Sequence, residues 1–346
     1  MSPGLSGDPS ATRRRVLAFI DLPQDVEVMM PLFMLGLPDY RDGWDLKIRV
    51  SRWLKAAHPQ AIAQLKAPGL KFRFVRRREV IDGGEPDLRG VQAVLTASES
   101  SHPAHAAGHA LALRARAAGV RTYTLQHGLE NVGLGMGPPG EIASDVFFCW
   151  FPPGMTASLP GTFRRKLVHV GRPRYELWAP VEQRYAVGVF ENLHAAHYGE
   201  ADRQAFVRGV EALAATGAPI LLRPHPAGCW SAGLDLGAWP NVTLATDGSG
   251  QAAVASVARV ITTPSTVVLD AAQADRPVAL AGDGGALYRP FPVLGAPAEW
   301  AAFARSAEDQ AGERTAFLDR VLMPGHAVNR ILTIIQDDLS AGLARR

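Results

Sequence analysis

The 346-residue sequence contains little lysine, only two cysteines and no long apolar run. Lysine occurs five times, so arginine supplies nearly all of the positive charge, and the formal net charge of +3 is too small to require a nucleic-acid partner. Cys149 and Cys229 are too far apart in sequence to form a metal-binding pair. No segment is long enough for a membrane span, and no apolar segment of signal-peptide length follows Arg13–Arg15, so we expect a cytoplasmic protein.

Several nucleotide and metal motifs are also missing. The sequence has no G-x-x-x-x-G-K-[ST] phosphate loop, and no two aspartates are separated by a single residue, which excludes a metal-binding Asp-x-Asp motif. Segment 135–140 matches G-x-G-x-x-G, but its two prolines and the lack of a strand leading into it predict a flexible loop. His102, His105 and His109 share a helical face that could hold a metal, although a solvated or cleft-lining face is expected. We therefore predict neither a metal nor a cofactor.

Short β-rich runs alternate with longer stretches of helical periodicity along the chain. This alternation predicts parallel βαβ units, and the length is sufficient for two α/β lobes. The predicted strands are 15–21, 46–51, 71–75, 93–98, 121–126, 145–150, 167–171, 186–193, 220–223, 242–245, 260–263 and 277–281. The clearest predicted helices are 103–118, 202–215, 251–258, 265–274, 298–305 and 327–343.

Proline- and glycine-rich segments place the domain boundary near 171–183. We predict a disordered segment over 1–14, a doubly wound lobe over 15–170, a second one over 171–326 and a final helix within 327–346. Two such lobes would form a cleft. Ligands of doubly wound sheets bind beyond the carboxyl ends of the strands, so the residues that follow the predicted strands are candidates for a site.

A histidine follows the predicted strand 121–126. Gly128 would allow a tight turn with positive φ, so that His127 is displayed at the carboxyl end of the strand. A neutral imidazole there could act as a general base on a hydroxyl group. The alternative is a loop histidine that caps a backbone carbonyl.

Two other strand ends carry groups suited to an anion. The guanidinium of Arg223 is a planar fork that fits phosphate oxygens, and the prolines at 224 and 226 fix the backbone around His225. Ser265 and Thr266 precede an apolar helix start, where free N–H groups and hydroxyls could bind an anion. The alternatives are a rigid strand exit and an ordinary capped helix.

Polar or flexible residues beside these strand ends are further candidates for lining a cleft: Glu99, Gln126, Gly128, Arg174, Glu191, Asn192 and His194.

The motifs occur in a recognisable order: Gln126-His127-Gly128, Gly171-x-Pro173-Arg174, Arg223-Pro-His225-Pro, Ser265-Thr266-x-x-x-Asp270 and Ala274-x-x-Pro277-Val. Over about residues 120–285 this order resembles GT-B-fold transferases of bacterial surface polysaccharides. These are the capsule-type glycosyltransferases and the CDP-glycerol glycerophosphotransferases, and similar landmarks occur in non-hydrolysing UDP-GlcNAc 2-epimerases. The resemblance implies an α/β protein of the GT-B fold, with two Rossmann-like lobes, a cleft between them and a final helix that crosses back to the first lobe.

The resemblance also implies roles for the candidate residues. It assigns the donor phosphate to Arg223, His225, Ser265 and Thr266, with Asp270 near the ribose or supporting the helix, and it makes His127 the candidate base. The implied reaction moves a sugar from a CMP-, CDP- or UDP-linked donor to a cell-surface glycan or glycolipid. It needs no metal, because arginine, histidine, hydroxyls and a helix N-terminus meet the charge on the leaving phosphate. Gln126 stands where the glycerophosphotransferases have tryptophan, which favours a sugar donor.

Three other functions remain open at this point. One is a CDP-glycerol-type glycerophosphotransferase. Another is an epimerase or hydrolase of the nucleotide sugar, for which Glu99, Glu130 and Glu191 are candidate carboxylates. The third is a non-catalytic bilobal binding protein. The arginine content and the apolar region of Trp44 and Trp53 would also suit a membrane-bound acceptor and peripheral association with the inner face of the cell membrane.

Overall fold

The computed structural model describes residues 14–36, 44–130, 141–174, 182–191, 199–225, 230–231, 234–245 and 249–344. The chain divides into two compact units. The first comprises Met1–His127, Pro139–Tyr175 and Met323–Arg346, and the second comprises Gly128–Pro138 and Glu176–Leu322. Of the segment expected to be disordered, 1–13 lie outside the described residues, whereas Arg14 is the first residue of a strand.

The first unit is built on a seven-stranded parallel sheet with the order β3-β2-β1-β4-β5-β6-β7. Its strands are β1 Arg14–Ile20, β2 Trp44–Ser51, β3 Phe72–Val75, β4 Val91–Thr96, β5 Arg121–Leu125, β6 Val146–Cys149 and β7 Leu167–His169. Its helices are α1 Pro23–Pro31, α2 Arg52–Ala57, α3 Pro59–Lys66, α4 Arg77–Ile81, α5 Ala106–Ala117, α6 Gly161–Arg164 and, from the far end of the chain, α12 Ala327–Ala344.

The second unit is built on a five-stranded parallel sheet with the order β10-β9-β8-β11-β12. Its strands are β8 Val187–Phe190, β9 Ile220–Arg223, β10 Val242–Leu244, β11 Val260–Thr262 and β12 Val278–Leu280. Its helices are α7 Glu200–Ala214, α8 Gly250–Ala255, α9 Val267–Gln273, α10 Pro297–Arg305 and α11 Ala311–Val321.

The central strands are buried on both faces, which explains their nearly continuous apolar sequences. All residues from Val16 to Ile20 are buried, as are those of β6 and β8. In the first unit, Leu111 and Ala115 of α5 pack against Leu17 and Val94 of the sheet. In the second, the rings of Trp230 and Trp300 both meet Phe206 of α7 edge to face. Burial of this apolar surface is the main force that holds each unit together.

The final helix packs on the first unit. Its apolar residues Val328, Ile331, Leu332, Ile335 and Leu339 recur at helical spacing and are all buried. Polar contacts fix its position as well, because both the Arg121 guanidinium and the Tyr123 hydroxyl donate to Asp338 of this helix. No helix in the described part of the chain is long and apolar enough to cross a membrane.

The predicted strands are all present, and most differ from the observed ones by one or two residues at an end. Helix α11 was not predicted, because polar residues dominate its first turns and only a few apolar ones, such as Phe317 and Val321, are buried. The region after β8 that was predicted to continue as strand lies outside the described residues from 192 onwards.

Gly108 of α5 provides a test of this packing. A Cβ atom at Gly108 would lie 2.4 Å from the carbonyl oxygen of Ser98. We therefore expect Gly108→Ala to lower the free energy of unfolding by about 1–3 kcal/mol. Gly312 of α11 is the matched control, because a Cβ there would meet nothing within 4 Å, and Gly312→Ala should raise stability by up to about 1 kcal/mol. Urea denaturation of both variants measures the difference, and equal effects of the two substitutions would contradict the close approach.

Candidate functional site

Glu99 fixes the carboxyl edge of the first sheet beyond β4. Its side chain is buried, and its carboxylate accepts hydrogen bonds from Ala143 N–H at 2.9 Å and Ser144 N–H at 3.1 Å. Nδ1 of His109 lies 2.6 Å from Oε1, and the Thr124 hydroxyl donates to Oε2 at 3.2 Å. With its oxygens used in this way, Glu99 holds the loop before β6 in place and does not line an open cleft, contrary to expectation.

Asp25 plays a similar part beyond β1. It is buried and accepts hydrogen bonds from the N–H groups of Asp21, Leu22 and Ser98 and from the Ser98 hydroxyl. The neighbouring Asp21 is also buried and pairs with Nε of Arg77 at 3.0 Å. Burial raises the pKa of Asp21 to about 6, against the opposing effect of Arg77. The loops beyond β1 and β4 are thus joined by buried polar contacts.

His127 follows β5 at the same edge, because all strands of the sheet are parallel. Its Nδ1 lies 3.1 Å from the carbonyl oxygen of Ala97. A carbonyl oxygen only accepts, so Nδ1 carries the proton and Nε2 carries the lone pair. Burial lowers the pKa of His127 to about 4, an effect that the hydrogen bond to Ala97 partly offsets. The ring is therefore neutral at pH 7 and presents a base nitrogen.

His105 packs directly against His127. The two rings are perpendicular, with centroids 5.2 Å apart, and Nδ1 of His105 lies 2.7 Å from the Ser100 hydroxyl. Burial, followed by the proximity of His127, lowers the pKa of His105 to about 3. His109 instead turns towards Glu99, so the three histidines of the predicted helical face do not converge. Among the described residues, no group of three or more His, Cys, Asp or Glu is arranged to hold a metal.

The neighbours of His127 differ from expectation. Gln126 is fully buried, and its side-chain oxygen accepts a hydrogen bond from Trp150 N–H at 2.7 Å, so it supports the end of β6 and lines no cleft. Gly128 does not have positive φ. Its lack of a side chain serves a close approach instead, because a Cβ would lie 3.3 Å from Oγ1 of Thr266.

Glu191 fixes the carboxyl edge of the second sheet beyond β8. It is buried, and its carboxylate accepts hydrogen bonds from Trp230 N–H at 2.8 Å, from Ser231 N–H at 2.9 Å and from the Ser231 hydroxyl at 2.6 Å. Its own N–H donates to the carbonyl oxygen of Arg223. Glu191 therefore holds Trp230 and Ser231 in place, and its oxygens are not available as the cleft-lining group that we expected.

Arg223 and His225 are placed as predicted, at and just beyond the carboxyl end of β9, and both are partly exposed. Strands β9 and β11 lie on either side of β8, so their ends are about two strand spacings apart, roughly 10 Å. The extended side chain of Arg223 can span much of that distance. This end of the sheet can therefore present a cation to a ligand beyond β8 and β11.

The start of α9 does not provide the expected anion site. Val267 N–H donates to the Ser265 hydroxyl, Val268 N–H to the Ser265 carbonyl and Leu269 N–H to the Thr266 carbonyl. These donors are satisfied within the chain. Ser265 is buried, with its hydroxyl also 3.1 Å from that of Thr262, so it supports the turn after β11.

Thr266 holds the segment that follows His127. Its Oγ1 accepts a hydrogen bond from Leu129 N–H at 3.1 Å, and the next residue, Glu130, accepts one from the Tyr288 hydroxyl. Residues 128–130 are thereby attached to the second unit. The two hydroxyls predicted to bind phosphate thus have structural roles in this conformation.

The remaining candidates are spread more widely. Asp270 is largely buried within α9, which agrees with a supporting position and not with an exposed one. Arg174 is partly buried in the first unit. Asn192, His194 and the segment 135–140 lie outside the described residues.

Sequence reasoning missed Asp25 and Ser100 as members of the first edge, and it placed His105 only on a helical face with His102 and His109. Asp25 carried a signal, since it lies at the third position of a helix that begins with Pro23, where an acidic side chain accepts backbone hydrogen bonds. The contact of His105 with His127 joins residues from different loops, and no local sequence pattern predicts such a contact.

No protein-family model matches the chain, and no curated protein matches it. Several solved structures, in contrast, are similar to the chain. The UDP-GlcNAc 2-epimerase of Methanocaldococcus jannaschii, in complex with UDP-GlcNAc and UDP, has a TM-score of 0.62 at 13% identity, covering 93% of this chain and 99% of that one. Arabidopsis thaliana UGT89C1, complexed with UDP, has a TM-score of 0.63 at 9% identity, covering 95% of this chain and 100% of that one. The wall teichoic acid polymerase TagF has a TM-score of 0.60 at 14% identity, covering 95% of this chain and 90% of that one.

At these identities the likeness establishes the fold. The chain is an α/β protein with two Rossmann-like lobes of the GT-B type, as predicted. The similar structures include proteins named as an epimerase and as a polymerase, so the likeness selects no single family.

The buried histidines predict how stability depends on pH. Unfolded histidines bind protons near pH 6.5, whereas folded His127 and His105 bind them only near 4 and 3. The unfolded state therefore binds more protons in this range, and the free energy of unfolding falls on acidification, by up to about 1.4 kcal/mol per pH unit for each ring. Asp21 acts in the opposite sense between pH 6 and 3.8.

Replacing both histidines by asparagine should flatten this dependence, and Asp21→Asn should steepen it. Urea denaturation between pH 7 and pH 5 measures the slopes. His326→Asn is the control, because His326 is an exposed histidine of the same unit. An unchanged slope in the double variant would show that the two rings titrate normally.

Proposed function

We propose that the protein is a glycosyltransferase that moves a sugar from a CMP-, CDP- or UDP-linked donor to a cell-surface glycan or glycolipid. The observation that carries the proposal is the carboxyl end of β9, where Arg223 and His225 project from a GT-B fold. Two solved proteins of similar fold are bound to UDP, and another is named as a polymerase of wall teichoic acid. A lipid-linked acceptor would place the reaction at the inner face of the cell membrane.

The donor phosphate is assigned to Arg223 and His225. Breaking the bond between the anomeric carbon and the phosphate oxygen leaves the electron pair, and hence negative charge, on the nucleotide. A guanidinium can stabilise that charge by donating two parallel N–H···O hydrogen bonds to the phosphate oxygens. Ser265 and Thr266 support this region through the turn after β11 and the segment 128–130. Asp270 is buried within α9, and we assign it a supporting role there.

The acceptor hydroxyl is assigned to His127. In the proposed step, the acceptor oxygen bonds to the anomeric carbon as its proton passes to Nε2, the ring nitrogen that carries the lone pair. A pKa of about 4 keeps this nitrogen unprotonated at neutral pH. It also makes the imidazole a weaker base than one matched to pH 7. The hydrogen bond to Ala97 and the packing of His105 hold the ring in one orientation.

The alternatives have less support. A nucleotide-sugar epimerase or hydrolase needs an available carboxylate near the sugar, yet Glu99 and Glu191 are buried and engaged by main-chain N–H groups, and Glu130 accepts the Tyr288 hydroxyl. A glycerophosphotransferase would use the same phosphate residues, and a binding protein would release no nucleotide. Measuring free nucleotide with and without an acceptor separates these functions.

Arg223 tests the donor site. Arg223→Ala should weaken nucleotide binding by about 1.5–3 kcal/mol, because it removes a charge-assisted contact to phosphate. Arg208→Ala is the matched control, since Arg208 is an exposed arginine on α7 of the same unit. Isothermal titration with CDP and UDP measures both. Equal nucleotide affinities of the folded wild-type and Arg223→Ala proteins would show that Arg223 does not bind the donor phosphate.

His127 tests the base. His127→Gln should lower turnover by about 10²–10⁴-fold while nucleotide affinity stays unchanged. In the wild type, the acid limb of kcat/KM should fall near pH 4, because protonation of a ring with this pKa removes the base only there. Near-normal turnover of the glutamine variant would assign His127 a merely structural role.

Metal dependence is a third test. The sequence lacks an Asp-x-Asp motif, and the described residues offer no metal-ligand group of three. Transfer should therefore survive EDTA. Loss of activity that Mg²⁺ or Mn²⁺ restores would place a metal in the donor site.

A further inference from the structure

The positive charge of the chain is concentrated in one segment. Residues 44–82 contain ten Lys and Arg against three Asp and Glu, a net charge of +7, whereas the whole chain has +3, so that all other residues together carry −4. Four of the five lysines lie in this segment. We call it the cationic edge, because it consists of β2, α2, α3, the edge strand β3 and α4 at one side of the first sheet.

Most basic side chains of the cationic edge face solvent. Seven of them are exposed: Arg52, Lys55, Lys66, Lys71, Arg73, Arg76 and Arg78. Contacts join the elements that carry them, because Lys55 of α2 lies over the ring of Phe74 of β3 at 5.1 Å, and Arg77 of α4 lies over the ring of Trp53 at 5.5 Å. The exposed charges therefore lie on adjoining elements, as a rim around the edge strand, with Arg73 on the opposite face of β3 from Phe74.

Few acidic groups in the described part of the chain neutralise this rim. Arg76 and Arg78 have ion-pair partners in Glu79 and Asp82, but the other five exposed cations form no ion pair with any residue that the structure describes. Arg49 of β2 and Arg73 of β3 are even register partners across neighbouring strands. Like charges directly opposite each other in a sheet are destabilising. An external anion would relieve this repulsion.

We propose that the cationic edge docks on an anionic lipid surface. Basic side chains gain attraction near anionic lipid headgroups, and a broad rim suits a flat surface. Trp53 is 39% exposed and Ile81 is 45% exposed, so the same rim also offers apolar groups. Amphipathic tryptophan rings favour the level of the headgroups. Charges also protect an edge strand from pairing with another chain, but a few suffice for that purpose.

Docking here would bring the protein to a lipid-linked acceptor of the proposed function. The charge and exposure of this surface do not depend on the reaction, and its test requires no transfer. Failure of docking would leave the proposed transferase untouched, and failure of transfer would leave the docking surface untouched.

The test is cosedimentation of the full chain with vesicles of phosphatidylcholine and phosphatidylglycerol in equal parts. Arg52, Lys66, Lys71 and Arg73 are replaced together by glutamine. Each charge lost near an anionic surface should weaken binding about fivefold, so the four together should weaken it several hundredfold. Binding of the wild type should also fall between 0.1 M and 1 M salt, where the screening length shrinks from about 10 Å to about 3 Å.

The matched control replaces four exposed arginines elsewhere, Arg164, Arg165, Arg208 and Arg305, by glutamine and should bind vesicles like the wild type. Melting temperatures establish that both variants are folded. Equal losses in the two variants, or equal binding of the wild type to phosphatidylcholine alone, would overturn the proposal. Displacement of the protein from the vesicles by polyphosphate at equal charge concentration would also overturn the proposal, because it would show that the rim binds a soluble polyanion.

Discussion

Buried carboxylates at the ends of central strands determine the shape of both candidate edges. Asp25 and Glu99 in the first unit and Glu191 in the second each accept main-chain N–H groups from other loops. Such a group is costly to bury unless fixed donors replace its lost water, so each carboxylate forces a loop into one arrangement. The residues that we assign to chemistry, His127 and Arg223, emerge beside loops held in this way.

The two edges are electrostatically different. The first combines buried acids with neutral imidazoles, His127 and His105, whose pKa values burial holds far below normal. The second has a partly exposed guanidinium, that of Arg223, at its strand end. A neutral group can take a proton from a hydroxyl, whereas a permanent cation can stabilise a departing phosphate. In the proposed transferase the neutral ring therefore serves the acceptor hydroxyl, and the guanidinium serves the departing phosphate.

The sequence predicted the twelve strands and the position of His127 and Arg223 at strand ends, because buried parallel strands are short, apolar and closely followed by polar residues. It did not predict how side chains are used. Glu99 bonds to N–H groups more than forty residues away. Ser265 and Thr266 match an anion-binding pattern, yet the Ser265 hydroxyl accepts from Val267 N–H and the Thr266 hydroxyl accepts from Leu129 N–H. Such roles depend on which loops meet, and spacing along the chain does not encode that.

Helix α12 has a consequence for biosynthesis. The strands of the first unit are complete by His169, but the helix that covers Trp44 and Tyr123 through Gln336 and Asp338 follows the second unit in the chain. During translation the second unit is therefore synthesised in full while the first still exposes apolar surface. A fragment that stops at residue 174 would keep that surface exposed, so the first unit cannot finish folding until α12 has left the ribosome.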